Sequence, residues 1–148
     1  MNDQKLIEQA SELYSRFTRV FGAYEKIQVN KLGLTIPQSY TLLTLFEHKI
    51  MAMNELATAL IVTQTTMTRV VDNLVRDGYI ERIRNEEDRR VVEVKLTGKG
   101  VDTVKKVKEL YFQASASTFQ RIPAKIRGQV VACLSVLLSA MEEVEKEL

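Results

Sequence analysis

The sequence predicts a mainly α-helical chain carrying one short antiparallel β-hairpin. Three observations support this. Long stretches at both ends place apolar residues at three- and four-residue steps, the period of a helix that buries one face. Between them, Thr63 to Gly100 passes from a polar-fronted helical pattern, through Gly78, into two short runs separated by the polar and charged stretch Asn85 to Arg90. At 148 residues the chain is long enough for one domain with a sizeable core and too short for two ordinary ones.

The N-terminal stripe is Ile7, Ala10, Leu13, Tyr14, Phe17, Val20, Phe21, Tyr24 and Ile27, with Gln9, Glu12, Ser15, Arg16, Arg19 and Glu25 between. Four aromatics make this face wide for one helix to hide in a small domain, so a second chain is the expected cover. Gly33 breaks the pattern. Thr35-Ile36-Pro37-Gln38 then opens a second helix as a capping box, with Pro37 in the first turn and Gln38 reaching back to Thr35. Tyr40, Leu42, Leu43, Leu45 and Phe46 are expected in its core face, and the helix should end near His48 and Lys49, where a cation meets the negative end of the dipole. A short helix is expected from Asn54 to Leu60, with Leu56, Ala57 and Leu60 inward.

Ile61-Val62-Thr63 makes the next turn, and the Thr63 hydroxyl is suited to cap a helix from Gln64 to Asp77. That helix has a polar front (Gln64, Thr65, Thr66, Thr68, Arg69) and an apolar face (Val70, Val71, Leu74, Val75), and Gly78 stops it. Two helices joined by a tight turn, the second polar at its start, form a helix-turn-helix pattern. Strands are expected at Tyr79 to Arg84 and Val91 to Leu96, with Val92, Val94 and Leu96 on the face that covers the helices. The tip between them holds nothing apolar and should stand in solvent. Thr97 caps a further long helix whose stripe runs Val101, Val104, Val107, Leu110, Tyr111, Ala114 and Phe119. Ile122-Pro123 interrupts it, and a last helix carries Ile126, Val130, Cys133, Leu134, Leu137, Leu138, Met141 and Val144 on one side. Packing the terminal helices of two chains together would bury these outer stripes, so a symmetric homodimer is expected.

Charge totals point to no polyanion partner. The chain has 21 Lys+Arg against 19 Asp+Glu, a net charge of +2, and Gln64 to Gly100 holds eight basic and seven acidic side chains. Any case for nucleic acid rests on placement. No run approaches the roughly 18 consecutive apolar residues of a membrane span, and MNDQKLIEQ lacks a signal-peptide apolar region, so no membrane association and a cytoplasmic location are expected. There is no glycine-rich phosphate loop, no Cys/His metal spacing and no Ser-His-Asp set around the single His48, which excludes the common enzyme classes and leaves no expected metal, cofactor or catalytic residue. The single Cys133 cannot form an intramolecular disulfide and is expected to be a small buried apolar residue.

Placement does favour DNA. A major groove admits a helix whose front can bond base edges: Gln64 to adenine, a Thr methyl against thymine, Arg69 to guanine or phosphate. Asn54 and the cap residue Thr63 belong with Gln64, Thr65, Thr66, Thr68 and Arg69 as candidate contacts. At the hairpin tip Asp88-Arg89-Arg90 puts two guanidinium groups where one can enter a narrow minor groove, and a neighbouring carboxylate can orient one of them. The same side chains would also serve simply to solvate an exposed helix, and a hairpin-bearing helix-turn-helix can act as a protein-interaction module without specific DNA binding.

The chain resembles the MarR family of winged helix-turn-helix transcriptional regulators. The resemblance runs from Leu34-Thr35-x-Pro37-Gln38, through Glu55-Leu56-Ala57 and Thr68-Arg69-x-x-x-x-Leu74-x-x-x-Gly78-Tyr79-Ile80-x-Arg82, to Asp88-Arg89-Arg90 and Leu96-Thr97-x-x-Gly100. It implies a single MarR-type domain over 1–148, with dimerisation helices at 1–30 and 101–148 and a winged helix-turn-helix at 34–100. It also implies a homodimer on double-stranded, pseudo-palindromic operator DNA, most often as a repressor, with Gln64 to Asp77 as recognition helix. Arg90 would enter the minor groove while Asp88 steadies it, and Arg69 would support the helix contact. A small aromatic or phenolic effector is implied in a crevice that Tyr14, Phe17, Phe21 and Tyr24 can line; the alternative for these four is dimer core. Two departures matter. Ala52 stands where members often have a helix-capping Thr, which moves the expected helix start to Asn54, and the single cysteine lies at 133 rather than in the N-terminal helix where peroxide-sensing members carry theirs.

Overall fold

Helix α1 (Asp3–Asn30) leads to α2 (Ile36–His48), a short strand β1 (Ile50–Ala52), α3 (Met53–Ala59) and α4 (Gln64–Arg76). Strands β2 (Ile80–Arg84) and β3 (Val92–Leu96) follow, then α5 (Gly98–Phe119), a single 3-10 turn at Ala124–Ile126, and α6 (Arg127–Glu145). This computed structural model describes residues 3–147. Internal contacts gather into two units, Met1–Leu110 and Tyr111–Leu148.

In the first unit the core is built where α2, α3, α4, the sheet and the start of α5 turn their apolar faces inward. Leu42, Leu45, Leu56, Met67, Val71, Leu74, Ile80, Val94, Val104 and Val107 are each at most 2% exposed. The expected helix-turn-helix and hairpin are present, but the hairpin has a third strand. β1 pairs antiparallel with β3, Met51 opposite Val94, giving the sheet order β1-β3-β2. Three residues were too few to show alternation. They are ordered by the partner strand that β3 offers, and Met51 and Ala52 are buried there.

Several inward faces differ from their apolar pattern. In α2 the buried residues are Gln38, Ser39, Thr41, Leu42 and Leu45, while Tyr40 is exposed and Leu43 and Phe46 are half-buried. Ser39 and Thr41 tolerate burial because their hydroxyls donate to the Ile36 and Pro37 carbonyls at 2.9 and 2.8 Å. In α4 Met67 joins Val71 and Leu74 inside, and Val70 and Val75 are half-buried. In β3 Val94 is buried, but Val92 is exposed. The capping box at Thr35 is formed, with Thr35 N–H donating to Gln38 Oε1 at 2.9 Å. α3 begins at Met53 rather than Asn54 and ends at Ala59 rather than Leu60. Ala52 has no side-chain oxygen to cap it, yet Glu55 supplies the reciprocal half of a capping box by accepting the Ala52 N–H at 2.9 Å.

Three helices end in the same way. Past each cap, one N–H reaches back five residues and that of its predecessor three, which places the predecessor in the left-handed region. For α1 these bonds are Leu34 to Val29 (3.2 Å) and Gly33 to Asn30 (3.0 Å); for α4 they are Tyr79 to Leu74 (2.9 Å) and Gly78 to Val75 (3.0 Å). For α3 they are Val62 to Ala57 (3.0 Å) and Ile61 to Thr58 (3.1 Å). Gly33 and Gly78 accept φ of +70° and +78° without penalty, whereas a non-glycine residue there costs about 1–2 kcal/mol.

The end of α4, the start of β2 and the start of α5 meet at one junction. Thr97 Oγ1 donates to the Gly78 carbonyl at 2.7 Å and accepts the Gly100 N–H at 3.1 Å, which caps α5 as expected. The Thr97 N–H reaches the Tyr79 carbonyl at 3.0 Å. Gly100 lies against that same carbonyl so closely that a Cβ would stand 2.0 Å from the oxygen.

α1 buries Glu25, Gln28 and Val29 near its C-terminal end, while its apolar stripe faces out: Ile7, Leu13, Tyr14, Phe17, Val20, Phe21 and Ile27 are all exposed. In the second unit Arg127 ties the interhelical turn, donating to the Ile122 and Gln120 carbonyls at 2.9 and 3.2 Å. Within that unit no residue of α6 is buried, and Val131, Leu134, Leu138, Met141 and Val144 are exposed. The expectation of a buried Cys133 is corrected: it is exposed, because the stripe that holds it lies uncovered. By length and composition the helical stretch Ala124–Glu145 could cross a membrane. Its apolar residues crowd into Val130 to Met141, where Ser135 and Ser139 interrupt them, so the run falls short of the roughly 18 consecutive apolar residues of a span.

Replacing Gly100 by Ala should cost about 1–3 kcal/mol, because backbone on both sides must move apart. Gly78→Ala should cost about 1–2 kcal/mol from the left-handed conformation alone. Denaturant unfolding of both variants checks this; a Gly100→Ala loss within the roughly 0.5 kcal/mol of an ordinary surface change would show that the approach is not binding.

Candidate nucleic-acid interface

The front of α4 sorts its polar residues into two groups. Thr63 is the N-cap: its Oγ1 accepts the Thr66 N–H at 3.2 Å and its hydroxyl donates to Thr66 Oγ1 at 3.0 Å. The Thr68 hydroxyl donates to the Gln64 carbonyl at 2.8 Å. These threonines are committed to the helix itself. Gln64, Thr65 and Arg69 are exposed and, among the described residues, their side chains have no hydrogen-bond or ion-pair partner. Asn54 is likewise exposed at the front of α3, where its backbone carbonyl accepts from Thr58.

The hairpin tip is held from below by Asn85. Its Oδ1 accepts the N–H groups of Glu87 and Asp88, both at 2.9 Å, and its Nδ2 donates to Glu93 Oε1 at 2.7 Å. Asp88 then accepts the Arg90 N–H at 3.0 Å. The expectation that a carboxylate orients a guanidinium is therefore corrected in its atoms: Asp88 braces the backbone of Arg90, and neither Arg89 nor Arg90 forms an ion pair among the described residues. Both side chains stand exposed. Arg84, at the end of β2, is exposed and unpaired in the same sense and lies on the strand face shared by Ile80 and Arg82. The strand's two-residue period was the signal that could have added it to the candidates.

Other residues fix the hairpin to the helix. Arg82 of β2 donates to the Asp72 carboxylate of α4 in a short ion pair. Lys95 and Glu81, opposite each other across β2 and β3, pair at 3.2 Å. At the rear of α4 the Arg76 guanidinium bonds Asp77 at 2.9 Å and holds its carboxyl below the usual carboxylate range. Lys99 donates to the Asp77 carbonyl at 2.6 Å and lies 4.4 Å over the Tyr79 ring. So the cations at the rear are engaged, while those at the front of α4 and at the tip are not.

The aromatic candidates lie on the outward face of α1. Tyr14, Phe17 and Phe21 are exposed, Tyr24 is half-buried, and Phe17 and Phe21 stack with ring centres 5.4 Å apart. A separate apolar cavity of about 100 Å³ lies between α2 and α4, lined by Ile36, Pro37, Tyr40, Leu60, Val62, Thr66, Met67 and Val70. His48 is exposed at the end of α2.

A helix-turn-helix fastened to a hairpin at its rear is a winged helix-turn-helix. Comparison with known proteins agrees. The model of the MarR family matches residues 34–92. An uncharacterised HTH-type transcriptional regulator of Bacillus subtilis, YfiV, is 24% identical over 99% of this chain and 94% of its own length. Among solved structures, RV1404 from Mycobacterium tuberculosis is 30% identical with a TM-score of 0.74, covering 92% of each chain. A mutant MarR from E. coli complexed with operator DNA is 25% identical with a TM-score of 0.75, covering 95% of this chain and 99% of that one. The chain belongs to the MarR family: it is a DNA-binding transcriptional regulator, not an enzyme.

Asn85→Ala should release the tip without unfolding the helix-turn-helix, since it removes three side-chain bonds that are together worth about 1–2 kcal/mol. Amide exchange should quicken at Glu87, Asp88 and Arg90 while the Thr66 and Met67 amides keep their protection. Unchanged exchange at the tip would mean that Asn85 does not hold it.

Proposed function

We propose that the chain is a homodimeric repressor that reads a pseudo-palindromic operator in the cytoplasm and is released by a small aromatic or phenolic effector. The carrying observation is that, among the described residues, Gln64, Thr65 and Arg69 at the front of α4 and Arg89 and Arg90 at the hairpin tip have no side-chain partner, while neighbouring polar groups are engaged. On this reading Gln64, Thr65 and Arg69 meet base edges and phosphates in the major groove. Thr63, Thr66 and Thr68 hold the helix front and contact the backbone, and Asn54 adds a phosphate contact from α3. Arg90 enters the minor groove from a tip that Asp88 steadies, with Arg89 beside it.

The domain assignment follows. Residues 34–100 form the reading head, and 1–30 with 101–148 form the dimerisation region. Its support is the apolar surface of α1 and α6, which is too extensive for water: Leu134, Leu138, Met141 and Val144 on one, Leu13, Phe17, Val20 and Phe21 on the other. A two-fold dimer presents two α4 helices to half-sites about one helical turn apart. Tyr14, Phe17, Phe21 and Tyr24 supply the aromatic surface for the effector. An effector that binds one arrangement of the dimer better than another shifts the spacing of the two heads, and so lowers affinity for the operator.

Binding to a duplex from upstream of the chain's own gene, followed by fluorescence anisotropy across a salt series, tests this. Affinity should fall steeply with salt as counterions are released, and Arg90→Ala should lower it by about 1–3 kcal/mol while the dimer persists. Absence of specific retention at low salt would sink the regulator reading and leave a protein-interaction module. Leu134→Asp or Leu138→Asp should convert the dimer to monomer in light scattering, and an unchanged mass would refute the interface.

A further inference from the structure

Ile61 is the turn residue between α3 and α4, and its conformation is out of keeping with its side chain. Its φ is +53°, in the left-handed region that β-branched residues rarely enter. The bonds from Val62 to Ala57 and from Ile61 to Thr58 impose that angle, because they close α3 as Gly33 and Gly78 close α1 and α4. The chain thus uses glycine at two of three equivalent positions and isoleucine at the one inside the helix-turn-helix.

Burial does not repay the strain. Ile61 is 77% exposed, the highest value among the exposed large apolar side chains of the described residues. Lys49 provides a contrast: it too has a positive φ, +71°, but its ammonium lies 5.1 Å over the Phe46 ring. Ile61 has no such compensation, so glycine would serve the fold better at this position. A strained residue that the fold does not need points to a role outside it.

We propose that Ile61 is a specificity-determining DNA contact, packing on the C5-methyl of a thymine at the edge of the major groove. This rests on the reading of α4 as the recognition helix. Ile61 stands two residues before the Thr63 cap and three before Gln64, so a helix front entering the groove carries this turn to its edge. A side chain without donor or acceptor can recognise apolar groups alone, and the thymine methyl is the apolar group that base pairs display in that groove.

The test uses the full chain, its own upstream duplex, and Ile61→Gly, Ile61→Asn and Ile61→Val. Ile61→Gly and Ile61→Asn should unfold at the same or a higher temperature than the wild type and bind the operator about three- to tenfold more weakly; Ile61→Val should keep most of the affinity. Replacing thymines by deoxyuridine one at a time should weaken the wild type at one position per half-site and leave Ile61→Gly unaffected there. Wild-type affinity in Ile61→Gly, or a deoxyuridine scan in which no position separates the two proteins, overturns the assignment. If Arg90→Ala still weakens binding in that case, the reading head stands and the Ile61 contact alone fails. No specific binding by the wild type removes both.

Discussion

The winged helix-turn-helix depends on one close backbone approach, that of Gly100 to the Tyr79 carbonyl. A Cβ at residue 100 would stand 2.0 Å from that oxygen, so α5 can lie where it does because residue 100 has none. Thr97 closes the same junction by bonding to the Gly78 and Tyr79 carbonyls and capping α5. Lys99 adds a bond to the last carbonyl of the α4 cap and a cation over the Tyr79 ring. The rear of α4, the root of the hairpin and the first turn of α5 are thereby fixed to one another. A displacement at this point would be carried to the front of α4 along a helix of 13 residues.

At the front, the important distinction is between polar residues that are used and polar residues that are spare. Thr63, Thr66 and Thr68 bond to one another and to the helix backbone, so they set where α4 starts and how its first turn is shaped. Gln64, Thr65 and Arg69 inherit that position and, among the described residues, have no side-chain partner. The hairpin repeats the scheme: Asn85 and Asp88 spend their side chains on tip amides, and Arg89 and Arg90 extend from a backbone that is already fixed. Holding groups before the ligand arrives lowers the ordering cost of binding.

Much of this was legible in the sequence, and the failures have physical causes. Helical periodicity, the capping box at Thr35, the cap at Thr63 and the stop at Gly78 located α1, α2, α4 and the hairpin within a few residues. β1 was not legible, because three residues show no alternation and become a strand through pairing with β3. The inward face of α2 was misassigned because hydroxyls that bond to their own helix can be buried, as Ser39 and Thr41 are. Residue types marked the candidate contacts, but could not separate Thr66 and Thr68 from Thr65. The ion pair between Arg82 and Asp72 and the strained turn at Ile61 depend on distances and angles that no pattern records.

Charge poses the remaining constraint. With a net charge of +2 the protein cannot rely on a general attraction to phosphate, and the acidic residues Glu86, Glu87 and Asp88 lie beside the basic tip itself. Placement compensates in part, since the acidic tip residue Asp88 and the rear cations Arg76 and Lys99 are bonded internally and the forward cations are not. One head with so few spare cations releases few counterions and binds a random duplex weakly. In the proposed dimer, two heads would double that number and make the second contact intramolecular, so affinity would appear where two half-sites match the spacing of the heads. Weak charge, on the proposed dimer, favours specificity: it keeps the single-headed encounter weak and reserves tight binding for a correctly spaced pair of sites.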